Sequence, residues 1–298
     1  MVSKVEKFLG IDVGGGSLKA SLIDKEGKVY QEEAIQTDRF WDNSKFLITI
    51  HSLIEKFQNT SFVSIGIGTP GPIDIAKGTI IRSANLPNLS NLPLKDSIAS
   101  QYKVPIHFNN DANCAALGSY FFNKDAQVES LVVITLGTGY GCGWVFNGKI
   151  FNGYLGNGME AGHQTVITNG ALCGCGQRGC VEAYFSTRGL LERFREKTNI
   201  SLSDGKAFFK LIERKDEDAQ DILSLGIEAF SNSIRNIIHL LNPNKIILVG
   251  GLTKSKDLFF DRVNSHLDLI VFPVLRSHSK VSIGESIAGS LGAAALGF

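Results

Sequence analysis

Cys173, Cys175 and Cys180 lie within eight residues of one another, in the Gly-rich run CGCGQRGC, and His163 precedes them. Three thiolates and one imidazole are the ligand set of a closed structural zinc site. Glycine gives the chain the freedom to wrap an ion. A redox dithiol or three incidental thiols are the other readings, and the density of cysteine favours zinc. The remaining cysteines, Cys114 and Cys142, stand among small residues and read as packing.

Three glycine clusters follow strand-like runs: Gly14-Gly15-Gly16-Ser17, the run 137–143 that opens Gly137-Thr138-Gly139, and Gly250-Gly251. Consecutive N–H groups in such turns can converge on one anion, with the Ser17 and Thr138 hydroxyls as further donors. The expectation is a phosphate cradle shared between the two halves, although a tight hairpin turn explains any single cluster equally well. Asp12, just before the first cluster, is placed to hold Mg²⁺ largely through water. Two look-alikes fail. Residues 66–71 fit G-x-G-x-x-G, but Pro70 interrupts them and no helix follows. Residues 143–149 fit G-x-x-x-x-G-K, but Ile150 stands where a P-loop needs Ser or Thr.

Asn110 and Asp111 fall where a strand ends and a helix begins. Asp is an ordinary N-cap there. The chemical reading makes Asp111 a general base for an attacking hydroxyl, with Asn110 fixing that hydroxyl's neighbours. Phosphoryl transfer asks little more of a protein than positioning, charge neutralisation and such a base. Glu160 lies three residues before His163, and Glu182 two after Cys180. Each is either a solvated carboxylate or a partner for sugar hydroxyls held by an ordered loop.

The elements that position these residues are legible in the hydrophobic pattern. Residues 8–13, 18–23 and 29–35 read as strands, with a turn at 24–28. Phe46, Ile50, Leu53 and Ile54 recur at helical spacing behind a cap at 42–44. A strand at 62–67, a helix at 95–102, a strand at 106–109 and a helix at 112–122 follow. After a polar linker at 123–129 a similar order restarts with strands at 131–136, 144–146 and 149–151, which reads as an internal duplication. A long helix through Leu223 and Leu241 stops at Asn242-Pro243. A strand at 245–249 and an Ala/Gly-rich helix at 288–296 complete the chain. Two α/β domains facing across a cleft are implied.

Composition narrows the classes. The chain has 298 residues, 32 of them Gly and 7 Pro, and a formal charge of +1. Its length suits about two domains, and abundant glycine with scarce proline speaks for ordered turns rather than disorder. Near-neutral charge argues against nucleic-acid or membrane-surface partners. No apolar run reaches the ~18 residues of a membrane span. Glu6 and Lys7 stand where a secretory signal needs an apolar stretch, so a cytoplasmic location is expected.

Taken together, the motifs resemble the ROK sugar kinases, bacterial glucokinases among them. The likeness runs through residues 12–19, 68–74 (GTPGPID), 85–87 (NLP), 110–116 (NDANCAA), 136–143 (LGTGYGCG), 160–163 (EAGH), 173–182 (CGCGQRGCVE) and 248–251 (LVGG). It implies a two-domain actin-like ATPase (ribonuclease H-like) fold with the active site in the cleft between domains. Domain one would be residues 1–116 plus a returning helix at 285–298, and domain two residues 117–284, carrying the zinc loop. It also implies an ATP:hexose 6-phosphotransferase, glucokinase-like, that works as a homodimer. Asp111 looks like the general base. Gly71, Asn85, Asn110, Asp111, Glu160, His163 and Glu182 look like the sugar-binding set. Asp12, Gly14, Gly15, Gly16, Ser17, Gly137, Thr138, Gly139, Gly250 and Gly251 would hold Mg²⁺-ATP. His163, Cys173, Cys175 and Cys180 would hold Zn²⁺, with one His163 nitrogen on the metal and the other on the sugar. Gly16 replaces the usual Thr of the first loop, Leu89 a frequent Trp, and Ala161 the usual Ile. Glucose is the leading substrate, ahead of N-acetylglucosamine and N-acetylmannosamine. A non-catalytic sugar sensor is more remote, since the family's repressors carry a DNA-binding helix-turn-helix and the phosphate loop here begins at Asp12.

Overall fold

A computed structural model describes residues 5–14, 16–38, 40–83, 86–122, 128–284 and 289–298. Its first run of elements is β1 (Phe8–Val13), β2 (Ser17–Ile23), β3 (Val29–Gln36), α1 (Asn43–Glu55), β4 (Ser64–Thr69), β5 (Ile73–Asp74), β6 (Thr79–Arg82), β7 (Ser90–Leu92), α2 (Leu94–Gln101), β8 (Ile106–Asn110) and α3 (Asp111–Phe122). The second is β9 (Ser130–Leu136), β10 (Tyr140–Phe146), β11 (Lys149–Ile150), α4 (Thr187–Thr198), α5 (Gly205–Glu213), α6 (Glu217–Leu241), β12 (Lys245–Val249), α7 (Phe260–Ile270), α8 (Pro273–His278), β13 (Lys280–Ile283) and α9 (Gly289–Ala294).

The chain divides into two compact units. One comprises residues 1–127, 143–159 and 287–298, the other 128–142 and 160–286. The division expected after residue 116 falls inside α3, which continues to Phe122.

In the first unit one sheet has the order β3-β2-β1-β4-β8, antiparallel from β3 to β1 and parallel from β1 to β8. The β2–β3 turn forms because Asp24 Oδ1 accepts the N–H groups of Glu26 and Lys28, while Gly27 takes φ 82°. Asp42 caps α1 by accepting the Lys45 N–H at 2.8 Å, as its sequence pattern predicts. Behind the cap, Phe46, Ile50, Leu53 and Ile54 join the core of β1, β2 and β4. The C-terminal helix α9 packs on this sheet. Gly10 and Gly66 face each other across the β1–β4 register, and a Cβ on either would collide with the backbone of Ser290 or Ala293. Bare strand positions thus let a helix of small residues lie close, and Phe298 seals the end edge-on to Phe8 at 4.8 Å.

The second sheet repeats the order as β11-β10-β9-β12-β13, with β9, β12 and β13 parallel and β10–β11 antiparallel. The repeated order gives the sequence duplication its structural counterpart. One element starts earlier than its pattern suggests: β10 begins at Tyr140 rather than at 144. Gly141 and Gly143 are therefore strand residues, not part of a turn. Gly143 is bare because a Cβ there would press on Ala112 and Ala116 of α3. In the second unit, Phe230 of α6 stacks on Phe185 with ring centroids 4.4 Å apart. Asn242 ends α6 in the left-handed region (φ 42°), with Pro243 next. Among the described residues, no helix is long and apolar enough to cross a membrane.

Candidate functional site

The junction of β8 and α3 is built almost wholly from amides. Asn109 Oδ1 accepts the Asn110 N–H at 2.8 Å and the Asn113 Nδ2 at 2.9 Å. Asn110 Oδ1 and Asp111 Oδ1 both accept the Ala112 N–H, at 2.8 and 2.9 Å. The residue that caps α3 is therefore Asn110, through the N–H two residues on, rather than the Asp111 expected from the sequence, which is the first helical residue. The Ala112 N–H holds the Asp111 carboxyl at the helix start, where a negative charge is favoured. Burial raises its pKa from the ordinary carboxylate range, opposed by the Ala112 N–H. Asn109 Nδ2 reaches on to Asn152 Oδ1 at 3.0 Å, tying the junction to the segment after β11.

Asp12 lies at the end of β1, in register with Lys19 and Gly68. Its pKa is raised to about 6, first by burial and then by the Asp111 carboxylate, against the pull of Lys19. A buried carboxyl whose proton affinity is raised by a second carboxylate is a natural place for a divalent cation.

The loop after β4 also belongs to this unit. Gly71 leads into a cis peptide to Pro72. A Cβ on Gly71 would stand 3.6 Å from Asn110 Nδ2 and 3.9 Å from Asn157 Oδ1, so Gly71 and Asn110 are neighbours. Asn157 holds the loop by accepting the Ile73 N–H at 3.2 Å and donating to the Ile73 carbonyl at 2.9 Å. Asn85, predicted beside them, and Gly15 of the first glycine cluster lie outside the described residues. The rest of that cluster is a closed turn: Gly14 N–H donates to Ser17 O at 3.0 Å. A Cβ on Gly16 would meet nothing within 4 Å.

In the second unit, Gly137 N–H closes a turn one residue shorter, on Gly139 O at 3.0 Å. Both turns use their first N–H internally. Gly250 adopts φ 108° and passes so close to Leu136 that a Cβ would sit 2.8 Å from its carbonyl carbon. Only glycine fits there, which brings the end of β12 beside the end of β9. The residues lining a cavity of about 290 Å³ include Thr138, Thr187, Arg188, Leu191, Arg195 and Leu202.

His163, Cys173, Cys175 and Cys180 come together as their residue types predict. One donor atom from each lies within 4.8 Å of every other. Cys175 Sγ and Cys180 Sγ are 3.7 Å apart, and His163 Nδ1 is 3.7 Å from Cys173 Sγ. Tetrahedral bonds of ~2.3 Å set ligand sulfurs about 3.7 Å apart, so the donor set fits Zn²⁺. All five cysteines are free thiols. Burial, then the neighbouring Cys175, pushes the Cys180 thiol up to about 12, and burial likewise raises Cys173. A divalent cation removes that cost by binding the thiolates. With Nδ1 facing the sulfurs, the other nitrogen of the exposed His163 is the one available to a ligand. Glu160 begins the same short turn, its carbonyl accepting the His163 N–H at 3.0 Å.

Glu182 is buried. Its Oε1 accepts from Arg188 Nη2 at 2.6 Å, and its Oε2 from the Tyr140 N–H at 3.0 Å. Cys114 and Cys142 are buried, in keeping with a packing role. Sequence reasoning did not pick out Asn109 and Asn113, Asn152, Asn157 or Arg188 as site residues. Asn113 sits inside the 110–116 motif and Asn109 just before it, and the last three have no spacing that announces a partner.

A family model described as ROK family matches residues 8–297. A glucokinase of Thermotoga maritima is 30% identical, with 97% of this chain and 96% of the relative covered. An N-acetyl-D-glucosamine kinase of Pasteurella multocida is also 30% identical, over 84% of this chain and 86% of the relative. Among solved structures, a ROK family glucokinase from Streptomyces griseus, in complex with glucose and AMPPNP, matches at 26% identity and TM-score 0.80 over 97% of this chain and 98% of that one. The likeness extends across both units and gives the fold its class, the two-domain actin-like ATPase fold.

Proposed function

This chain belongs to the ROK family, and from that premise we propose that it is an ATP-dependent sugar kinase that phosphorylates the 6-hydroxyl of a hexose, glucose first. The observation that carries the reading is the buried Asp111 carboxyl at the β8–α3 junction, which accepts the Ala112 N–H at 2.9 Å beside the amides of Asn109 and Asn110.

In this reading Asp111 accepts the proton of the sugar 6-hydroxyl as that oxygen attacks the terminal phosphorus of ATP and ADP leaves. Gly71, Asn85, Asn110, Glu160, His163 and Glu182 would bind the sugar hydroxyls. Asp12 would hold Mg²⁺, which when bound supplies charge neutralisation for the phosphates. The turns at 14–17, 137–139 and 250–251 would meet the nucleotide through N–H groups and the Ser17 and Thr138 hydroxyls. The apolar Leu191 and Leu202 beside Thr138 suit the nucleoside end. Zn²⁺ held by His163, Cys173, Cys175 and Cys180 would be structural, fixing the His163 ring and hence the nitrogen it offers to the sugar. Cytoplasmic location and a homodimer are part of the same proposal.

An N-acetylhexosamine kinase is the second reading, favoured by the equal identity to the Pasteurella enzyme. A panel of glucose, N-acetylglucosamine, N-acetylmannosamine, fructose and allose with Mg²⁺-ATP separates the two. The expected result is the highest kcat/KM on glucose. A higher value on an N-acetylhexosamine selects the second reading. No sugar-dependent ATP consumption on any of them, together with specific DNA retention in a gel shift, would replace both with a sugar sensor.

A further inference from the structure

Arg188, the second residue of α4, closes a ring of contacts around the turn at 137–139. Its guanidinium Nη2 donates to Glu182 Oε1 at 2.6 Å. Its backbone N–H donates to the Thr138 carbonyl at 3.2 Å. From Thr138 the chain runs through Gly139 to Tyr140, whose N–H donates at 3.0 Å to the other oxygen of the same Glu182 carboxylate. The ring leaves little slack, because a Cβ on Gly139 would stand 2.6 Å from Glu182 Oε2. The Cys173–Cys180 loop touches the ring as well. Cys173 Sγ is 3.8 Å from Glu182 Oε1, and a Cβ on Gly174 would stand 2.9 Å from Arg188 Nη2.

The side chains at the two ends of the ion pair differ in exposure, 10% for Glu182 and 53% for Arg188. The carboxylate is thus largely withdrawn from water, while the cation that answers it remains accessible and lines the cavity beside Thr138. Removing the charged partner of a buried carboxylate leaves its charge uncompensated, which favours its reorganisation. Here any movement of the carboxylate also removes the acceptor that holds the Tyr140 N–H, and with it one anchor of the turn.

We propose that Arg188 is a positioning residue that acts through Glu182, locking the carboxylate and the 137–140 turn into one element so that affinity for sugar and affinity for nucleotide depend on the same ion pair. This rests on the reading of Glu182 as a sugar ligand and of the turn as a phosphate contact. A side chain that only stabilised the fold would change the melting temperature and leave both affinities alone.

The test compares wild type, Arg188→Met and Arg188→Lys as full-length, metal-replete protein, by amide hydrogen exchange and by steady-state kinetics with glucose and Mg²⁺-ATP. In Arg188→Met, exchange over residues 137–140 should quicken at least fivefold. KM should rise at least fivefold for both substrates while kcat stays within threefold, and Arg188→Lys should recover part of both KM values. The proposal is overturned if the turn exchanges at the wild-type rate in Arg188→Met, or if an active wild type and Arg188→Met share both KM values within twofold. A wild type that phosphorylates no sugar counts against the kinase reading alone, and the exchange result then decides the role of Arg188.

Discussion

Asn157 grips Ile73 with both ends of its amide, although 84 residues separate them. This is the pairing of one strand residue with the next, made by a side chain, and it fixes the loop that carries Gly71. Each such hydrogen bond is worth about 1 kcal/mol net. Asn157→Ala is expected to cost about 1–3 kcal/mol of stability and to raise the glucose KM about tenfold, with kcat changed much less. Thermal melts and initial rates check this.

The metal loop gives a prediction that needs no catalysis. Elemental analysis of the purified protein should find about one zinc per chain. Cys175→Ser keeps the exposed side of the loop but loses a thiolate, and should fall well below one equivalent with a melting temperature roughly 5 °C lower or more. A metal-free preparation of full stability would contradict the site.

Asp12 gives the pH dependence. Its folded pKa of about 6 lies above the ordinary 3.8, so the folded chain favours the protonated form. Stability from this group is complete below about pH 4 and is lost as the pH rises through 6. A bound cation opposes that loss by favouring the ionised form. In metal-free buffer, raising the pH from 4 to 7.5 should therefore cost the wild type about 1–3 kcal/mol more than it costs Asp12→Asn. Mg²⁺ at pH 7.5 should narrow the gap between the two proteins. Equal pH slopes for both would remove Asp12 from this role.

Gly16 gives a gain-of-function test. Open space surrounds it, and its φ is not in the left-handed region, so a side chain fits. Gly16→Thr supplies the hydroxyl that the resemblance expects at this position. The variant should melt within a degree or two of wild type and show a nucleotide KM several-fold lower. A raised nucleotide KM would show that the turn works better without a side chain.

Much of this molecule is legible in its sequence because the signals are local. Asp42 three residues before Lys45, Asn242 before Pro243, and three cysteines in eight residues each name a structure within a few residues of themselves. The duplicated strand order is legible for the same reason, as alternation and turn residues recur in order. What escaped is non-local. Asn109 finds Asn152, Asn157 finds Ile73 and Arg188 finds Glu182 and Thr138 only after the chain has folded, and an amide or guanidinium carries no spacing rule that points to its partner. The start of β10 escaped for another reason: Gly141 and Gly143 look like turn residues. Gly143 is glycine because α3 packs against it, a pressure visible only in three dimensions.

Asp111 as the general base of a sugar kinase is tested by sugar-dependent ADP release, with saturating glucose and Mg²⁺-ATP, for wild type and Asp111→Asn, alongside glucose affinity by calorimetry. Wild type should release ADP only when sugar is present. Asp111→Asn should fold, bind glucose within a few-fold of wild type and lose about 10²–10⁴ in kcat, the range a general base supplies. A kcat close to wild type in Asp111→Asn, or a wild type that releases no ADP with any hexose, would contradict the account.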